Sequence, residues 1–231
     1  MLLLILNGLM VPTVFANDDD SYARAISGLT EYIDNNSEDA NGYLYRGNVY
    51  FRNWQYELAI LDFNKAIEIN PSFAKAYAAR AYTYRLKHEF EYALADYNKA
   101  IDLMPNFAGF YTDRGGVYMD QKMFAEAIQD YTKALEIKPT SEVTYKKRID
   151  AYCGSRQYDL AIVSCDNFIE MNPQNTGIYY KKAYIYEIKG DYQMAIKVYQ
   201  TLIGKFPLSM DASQAKRRIQ YINSCGVGTS L

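Results

Sequence analysis

Few residues in this chain of 231 are of the types that most often do chemistry. There is one histidine, His88, and there are three cysteines, Cys153, Cys165 and Cys225. A lone histidine offers neither a catalytic pair nor the ligand spacing that a metal site requires. We therefore predict no catalytic residue, no metal site and no cofactor, and we interpret His88 as a solvated residue of a turn.

The three cysteines decide whether covalent chemistry is available. In an oxidising compartment, an odd number of cysteines leaves one thiol unpaired unless it forms a disulfide with a second chain. Cys153 and Cys165 would lie about one turn out of register on the two helices of a hairpin, whereas a disulfide needs Cα atoms within about 7 Å. We predict that they do not pair and that Cys165 is a small core residue. Cys225 is the candidate for an intermolecular disulfide, which would make a disulfide-linked dimer.

The spacing of the carboxylates and glycines does not support acid–base catalysis or phosphate binding. The carboxylates of Glu68, Asp102 and Glu136 recur near predicted helix ends and are typical of a solvated face. No glycine-rich phosphate loop follows a strand, because no strand pattern is present. An enzyme would require an activated thiol such as Cys153, with a pKa depressed by a neighbouring cation.

The elements that would position these residues repeat along the chain. Prolines recur at a constant spacing, at Pro71, Pro105, Pro139, Pro173 and Pro207. The same residue types precede each proline in the same order, and before Pro71 they are Tyr43, Arg46, Tyr50, Ala59 and Phe63. The two tyrosine columns and the alanine column are invariant, the second column is always Arg or Lys, and the last is usually aromatic. A fixed period of about 34 residues indicates a repeat architecture.

Each period predicts a pair of helices. In the first, Tyr43 and Tyr50 lie seven positions apart, which is two turns of one helical face. Ala59 and Phe63 lie four apart on the face of a second helix. Pro71 ends the unit because the residue before a proline is pushed out of the α region.

This pattern resembles the tetratricopeptide repeat, a helix-turn-helix unit of about 34 residues. In the first unit the resemblance is carried by Tyr43, Gly47, Tyr50, Ala59, Phe63 and Pro71. It implies an all-α fold, a right-handed superhelical solenoid of antiparallel helix pairs whose first helices line a concave groove. The chain departs from the family in two columns, where tyrosine replaces the usual tryptophan and Arg or Lys replaces the usual leucine.

The period divides the chain. The predicted segments are a signal peptide at 1–16, an N-terminal half-repeat at 17–39, five repeats at 40–73, 74–107, 108–141, 142–175 and 176–209, and a C-terminal capping helix with a tail at 210–231.

The cation column would lie near the packing seam. Its members are Arg46, Arg80, Arg114, Arg148 and Lys182. An unpaired buried charge is costly, and the first three repeats carry an aspartate nine positions before the proline, whereas the last two carry Ser164 and Val198. We predict an Arg–Asp ladder. The alternative is that these cations only lay their stems along the seam and reach water.

The first sixteen residues carry no charge and are too short to span a bilayer, which needs about 20 apolar residues. Val14 and Ala16 suit the positions that a signal peptidase reads, and acidic residues follow. We predict cleavage after Ala16, a periplasmic or secreted protein, and no stable membrane insertion after cleavage. Since the segment lacks Lys and Arg at its start, an uncleaved anchor or a misassigned N-terminus, which would leave the protein cytoplasmic, are the alternatives.

A net charge of −2 and the lack of a basic run longer than the Lys216–Arg218 triplet argue against nucleic acid. We predict a protein or peptide partner, bound by an exported scaffold in its concave groove. The predicted groove residues are Asn48, Phe51, Lys75, Tyr82, Arg85, Thr112, Met119, Lys146, Asp150, Tyr180, Tyr184 and Glu187. The alternative is a structural subunit of an envelope or secretion assembly that uses its convex face or its ends, which an exposed apolar patch would favour.

Overall fold

The computed structural model describes the backbone of residues 3–6, 9–12 and 19–224, and side chains from Asp20 to Ser224. The predicted cleavage site after Ala16 lies outside the described residues. So does Cys225, and with it the predicted disulfide-linked dimer.

Two short strands lie near the start of the described chain, although no strand was predicted from the sequence. They are β1 (Leu3–Leu6) and β2 (Leu9–Pro12), paired antiparallel with Leu6 opposite Leu9. The Asn-Gly pair that separates them in the sequence is typical of two-residue hairpin connections. The hydrophobic run that suggested only a signal peptide therefore also has the pattern of a hairpin.

The chain from residue 19 to residue 224 is helical and connected by short turns. Its helices are α1 (Asp19–Asn35), α2 (Ala40–Arg52), α3 (Tyr56–Ile69), α4 (Ala74–Leu86), α5 (Phe90–Leu103), α6 (Ala108–Asp120), α7 (Phe124–Ile137), α8 (Glu142–Gly154), α9 (Tyr158–Met171), α10 (Thr176–Lys189), α11 (Tyr192–Lys205) and α12 (Met210–Ser224). The predicted all-α class is confirmed. None of the described helices is long and apolar enough to cross a membrane.

The helices form two compact units, one up to Val117 and one from Tyr118. In the first, α2 and α3 approach closely through small residues. A Cβ atom on Gly47 would lie 2.6 Å from the ring of Phe63, so any larger residue would force the helices apart. Ala59, Phe63 and Ala66 are fully buried on the facing side of α3. The alanine and aromatic columns are thus packing residues, as their spacing predicts.

The second unit has a continuous core from α7 to α12. Tyr145 stacks on Phe168 with ring centroids 5.6 Å apart, and Ile149 is fully buried beside them. Cys165 is fully buried in this core, and both Cys153 and Cys165 are free thiols. The prediction of a core Cys165 is confirmed.

Two rungs of the predicted Arg–Asp ladder are present in the first unit. Arg46 donates two hydrogen bonds to the carboxylate of Asp62, each of 2.8 Å. Arg80 donates two to Asp96, each of 2.7 Å. Both aspartates are buried, so the paired geometry satisfies charges that would otherwise be costly.

Each of these cations makes further contacts that the sequence did not reveal. The guanidinium carbons of Arg46, Arg80, Arg114 and Arg148 lie 5.2–5.8 Å from the ring of the tyrosine three positions earlier. Arg80 also donates to Asn64 on the preceding second helix, at 2.6 Å, and Arg114 donates to Asn98 in the same way. The Arg80 side chain therefore ties α3 to α5 as well as packing on its own helix.

The ladder changes in the second unit. Lys182 pairs with Asp166 at 2.5 Å, sixteen positions earlier, because the position sixteen later is Val198. Arg148 would face Ser164 instead of an aspartate. Among the described residues its buried Nε atom has no hydrogen-bond partner, and its guanidinium is held by the ring of Tyr145.

The turn inside each helix pair contains one residue in the left-handed conformation. In the described part of the chain these are Trp54, His88, Lys122, Arg156 and Gly190, with φ between 59° and 89°. They recur once in every repeat, and glycine, which adopts this conformation without a steric cost, occupies only one of the positions. His88 is exposed in its turn, as predicted.

The C-terminal helix α12 packs its apolar face on the second unit. Ala212, Ala215 and Ile222 are buried, while Lys216 and Arg217 are exposed on the other face. A polar outer face of this kind lets a repeat array end in water.

Candidate functional site

In the first unit, the predicted groove residues occupy α2, α4 and α6. Lys75 and Tyr82 are exposed on α4, and Asn48 on α2 and Arg85 on α4 are partly buried. A Cβ atom on Gly116 of α6 would lie only 2.5 Å from Nη1 of Arg85. The glycine therefore leaves room for the guanidinium. Arg85 is therefore positioned by α6 rather than fully free in solvent.

Thr112 is buried, and its hydroxyl donates to the carbonyl oxygen of Ala108 at 3.1 Å. A side chain that bonds to its own helix in this way offers little to a ligand. Thr112 is therefore not a contact residue of the predicted groove.

Phe51 belongs to a group of aromatic rings. Its centroid lies 5.5 Å from that of Tyr82 and 5.7 Å from that of Tyr56, and Tyr56 lies 6.3 Å from Trp54. Trp54 is 77% exposed. Helical spacing from the packing tyrosines did not single out Trp54 and Tyr56, because Trp54 lies in the turn after α2 and Tyr56 begins α3.

In the second unit, four predicted residues line an open surface on α8 and α10. A depression of about 250 Å³ is lined by Lys146, Ile149, Asp150, Asn175, Gly177, Ile178 and Lys181. A neighbouring one of about 330 Å³ is lined by Gly177, Tyr180, Lys181, Tyr184 and Arg218. Because they share Gly177 and Lys181, we treat them as one surface and call it the α8–α10 surface.

This surface has an apolar floor and a charged rim. Ile149 and Ile178 are buried below it, and Tyr184 is 41% exposed at its side. Lys181 and Asp150 form an ion pair of 2.7 Å. Burial lowers the pKa of Lys181 and the bond to Asp150 raises it, with a net shift upward, so the lysine is charged at neutral pH.

Glu187 faces inward rather than onto the surface. It is 7% exposed, accepts a hydrogen bond of 2.6 Å from the hydroxyl of Tyr199, and is bound through both oxygens by Arg218. The hydrogen bond to Glu187 raises the pKa of Arg218. This network fastens α12 to α10, so Glu187 is a structural residue and we also leave it out of the contact surface.

Met119, the remaining predicted residue, is partly buried against a small core of the second unit with Ala127 and Tyr131. Asn175, Gly177 and Arg218 were not predicted. Asn175 and Gly177 lie at the start of α10, before the groove residues predicted on that helix. Arg218 lies on α12, which was predicted only as a capping helix.

The thiols give no sign of activation. Burial raises the pKa of the Cys153 thiol and raises that of Cys165 to about 12. A reactive cysteine needs the opposite shift. Within the described part of the chain, no cluster of three or more His, Cys, Asp and Glu side chains could hold a metal ion.

Two profiles of one family match this chain. One, described as tetratricopeptide repeat, matches residues 40–73 and 108–141, and the second, with the same description, matches residues 63–95 and 164–197. Together they cover more than half of the sequence. The chain belongs to the tetratricopeptide repeat family. A non-enzymatic scaffold for protein–protein interaction, the coarse class predicted from the sequence, is typical of this family. The count of five repeats and their boundaries stay predictions.

Solved structures share this fold. The C-terminal part of a TPR repeat-containing protein from Cytophaga hutchinsonii is 19% identical, with 90% of this chain and 85% of that chain covered and a TM-score of 0.75. PilF of Pseudomonas aeruginosa is 17% identical over 86% and 90%, with a TM-score of 0.65. YrrB, described as a TPR protein with an unusual peptide-binding site, is 22% identical over 84% and 100%, with a TM-score of 0.64. No curated protein matches the chain.

Proposed function

We propose that this protein is a scaffold that binds an extended peptide segment of a partner protein on the α8–α10 surface. The observation that carries the proposal is the continuity of this surface, on which the predicted residues Lys146, Asp150, Tyr180 and Tyr184 come together. The peptide-binding site described for YrrB supports the same use of the fold.

The chemistry of the surface suits such a ligand. An extended peptide presents main-chain amides and alternating side chains, which need scattered polar partners and a few apolar anchors. The ion pair of Lys181 and Asp150 offers both a donor and an acceptor at the rim. Tyr184 supplies an exposed ring beside the apolar floor.

Selection from a library of linear peptides displayed on phage tests this proposal. We expect the purified protein to enrich peptides whose affinity falls at least about tenfold in the double variant Lys181→Ala/Tyr184→Ala, because contact residues with aromatic rings carry much of the binding energy. The matched control is Leu160→Ala/Lys197→Ala, which removes an exposed apolar and an exposed basic side chain from α9 and α11. If no peptide is enriched, or if both variants weaken binding equally, the proposed surface is wrong.

The second candidate function is a structural subunit of a larger assembly, contacting partners by other faces or by its ends. Exposed apolar side chains on the second helices favour it, among them Leu61 on α3 and Val163 on α9. Near the start of α12, Leu208 is 98% exposed and Met210 is 77% exposed. If this second function is correct, substitution of Leu208 and Met210 by serine should abolish the contacts with the assembly. The same substitutions should leave peptide binding to the α8–α10 surface intact.

We also propose that the protein is exported after cleavage behind Ala16. The uncharged first sixteen residues and the acidic stretch that follows support this. N-terminal sequencing of the protein from its native host should find Asn17 first, and an intact Met1 would contradict the proposal.

A further inference from the structure

The first unit carries an exposed group of rings on α2, α3, α4 and the turn between α2 and α3, which we call the aromatic cluster: Phe51, Trp54, Tyr56 and Tyr82. Neighbouring ring centroids are 5.5–6.3 Å apart, and the rings are tilted against each other by 41–63°. Trp54 is 77% and Tyr82 38% exposed, while Phe51 and Tyr56 are partly buried beneath them. The rings therefore form a ridged surface open to solvent.

Trp54 occupies a position that is unfavourable for it in two ways. Its φ is 62°, a left-handed conformation that is strained for a bulky side chain. Its indole also leaves most of its apolar surface in water. The equivalent turn positions hold the polar residues His88, Lys122 and Arg156, or Gly190. Because the left-handed conformation recurs at this turn position, the feature that distinguishes the first repeat is the large exposed indole and not the backbone.

The turn that carries Trp54 is held firmly. The Trp54 amide donates to the carbonyl of Phe51 at 3.0 Å, and the Gln55 amide donates to Tyr50 at 3.0 Å. The side chain of Gln55 accepts a bond of 2.5 Å from the hydroxyl of Tyr22 on α1. A ligand would meet a turn whose backbone is already in place, so little backbone entropy is lost when it binds.

The cluster selects the chemistry of its ligand. None of its four side chains is charged, so an anionic group would find no counter-charge among the rings. The indole N–H and the tyrosine hydroxyls are hydrogen-bond donors placed beside flat apolar faces. A polyproline II helix presents the complement, because it has apolar ridges and no internal hydrogen bonds, so its carbonyl oxygens are free to accept. Aromatic-lined surfaces recognise such segments.

We propose that the aromatic cluster binds a proline-rich segment of a partner protein. The cluster lies in the first unit and the α8–α10 surface in the second, so this inference does not depend on the function proposed above. Either can fail while the other stands, because their variants and probes are different.

Trp54 is the only tryptophan of the chain, so its fluorescence reports on the cluster directly. Titration of the full-length protein with an oligoproline peptide should shift its emission to shorter wavelength and saturate, whereas a Gly/Ser peptide of equal length should leave it unchanged. An emission spectrum that does not respond to oligoproline up to about 1 mM would overturn the proposal.

Variants separate binding from folding. Binding of a fluorescein-labelled oligoproline, followed by anisotropy, should weaken at least about tenfold in Trp54→Gly and less in Trp54→Phe. Lys122→Gly is the matched control, since it makes the same backbone change in the corresponding turn of the second unit, and it should bind as the parent does. Glycine is favoured at this φ, so weaker binding by Trp54→Gly cannot be ascribed to unfolding. Unchanged affinity in Trp54→Gly, or a Trp54 response to a cello-oligosaccharide but not to oligoproline, would overturn the proposal.

Discussion

At the scale of single residues, the cation column shows that the ion-pair partner of a cation can change from repeat to repeat while the helix pair stays the same. Arg46 and Arg80 each pair with an aspartate sixteen positions later. Lys182 pairs with Asp166 sixteen positions earlier instead. Sequence spacing predicted the aspartates that follow Arg46 and Arg80. It did not predict the partner that precedes Lys182, because only the packing of consecutive second helices brings that aspartate to the lysine.

Ser164→Asp should stabilise the second unit by about 1 kcal/mol, because it gives Arg148 the carboxylate that Arg46 and Arg80 have. Asp62 and Asp96 are buried at the equivalent positions of earlier repeats, so the repeat accommodates an aspartate at this point of its second helix. Urea unfolding measures the change. Ser164→Asn, which has the same shape without the charge, is the control, and an aspartate variant no more stable than the asparagine variant would contradict the ladder.

At the scale of elements, the helix pairs are set by small residues and by the turns between helices. The alanine and glycine columns could be read from the sequence because their spacing follows a helical face. The left-handed turn column could not be read in this way, since four of its five residues are not glycine. Their conformation is imposed by the two helices that each turn connects.

Lys122→Gly should therefore raise the free energy of unfolding by about 0.5–1 kcal/mol, because glycine relieves the left-handed strain. The reverse change, Gly190→Ala, should lower it by about 1 kcal/mol for the same reason. Thermal unfolding of the two variants and the parent checks both signs. A stability that moves in the same direction in both would show that the turns are not strained.

At the scale of the whole molecule, a repeat protein is stabilised by contacts between neighbouring elements, so local damage stays local. The network of Glu187, Tyr199 and Arg218 holds α12 on the second unit. Spacing predicted an amphipathic helix at the position of α12 but gave no hint that Glu187 would be buried to receive Arg218. Helix α12 thus covers the end of the array and is also held to it by the ion pair of Arg218 and Glu187.

Arg218→Ala should loosen α12, because it leaves the buried carboxylate of Glu187 without its cation. Hydrogen exchange followed by mass spectrometry should show faster exchange of α12 amides and little change in α2 and α3. Arg217→Ala, which removes an exposed charge from the same helix, is the control. Equal protection of α12 in both variants would show that the network does not hold it.

The sequence by itself determined the period, the helix pairs, the buried columns and the family, because helical packing demands the same small and aromatic residues in every repeat. Tertiary structure decided which of the remaining side chains reach solvent. It turned Thr112 and Glu187 inward, gathered Lys146, Asp150, Tyr180 and Tyr184 on one surface, and brought Trp54 beside Tyr56. Exposure depends on how neighbouring helices cover each face, and that is a property of contacts between elements, which no spacing within one helix contains.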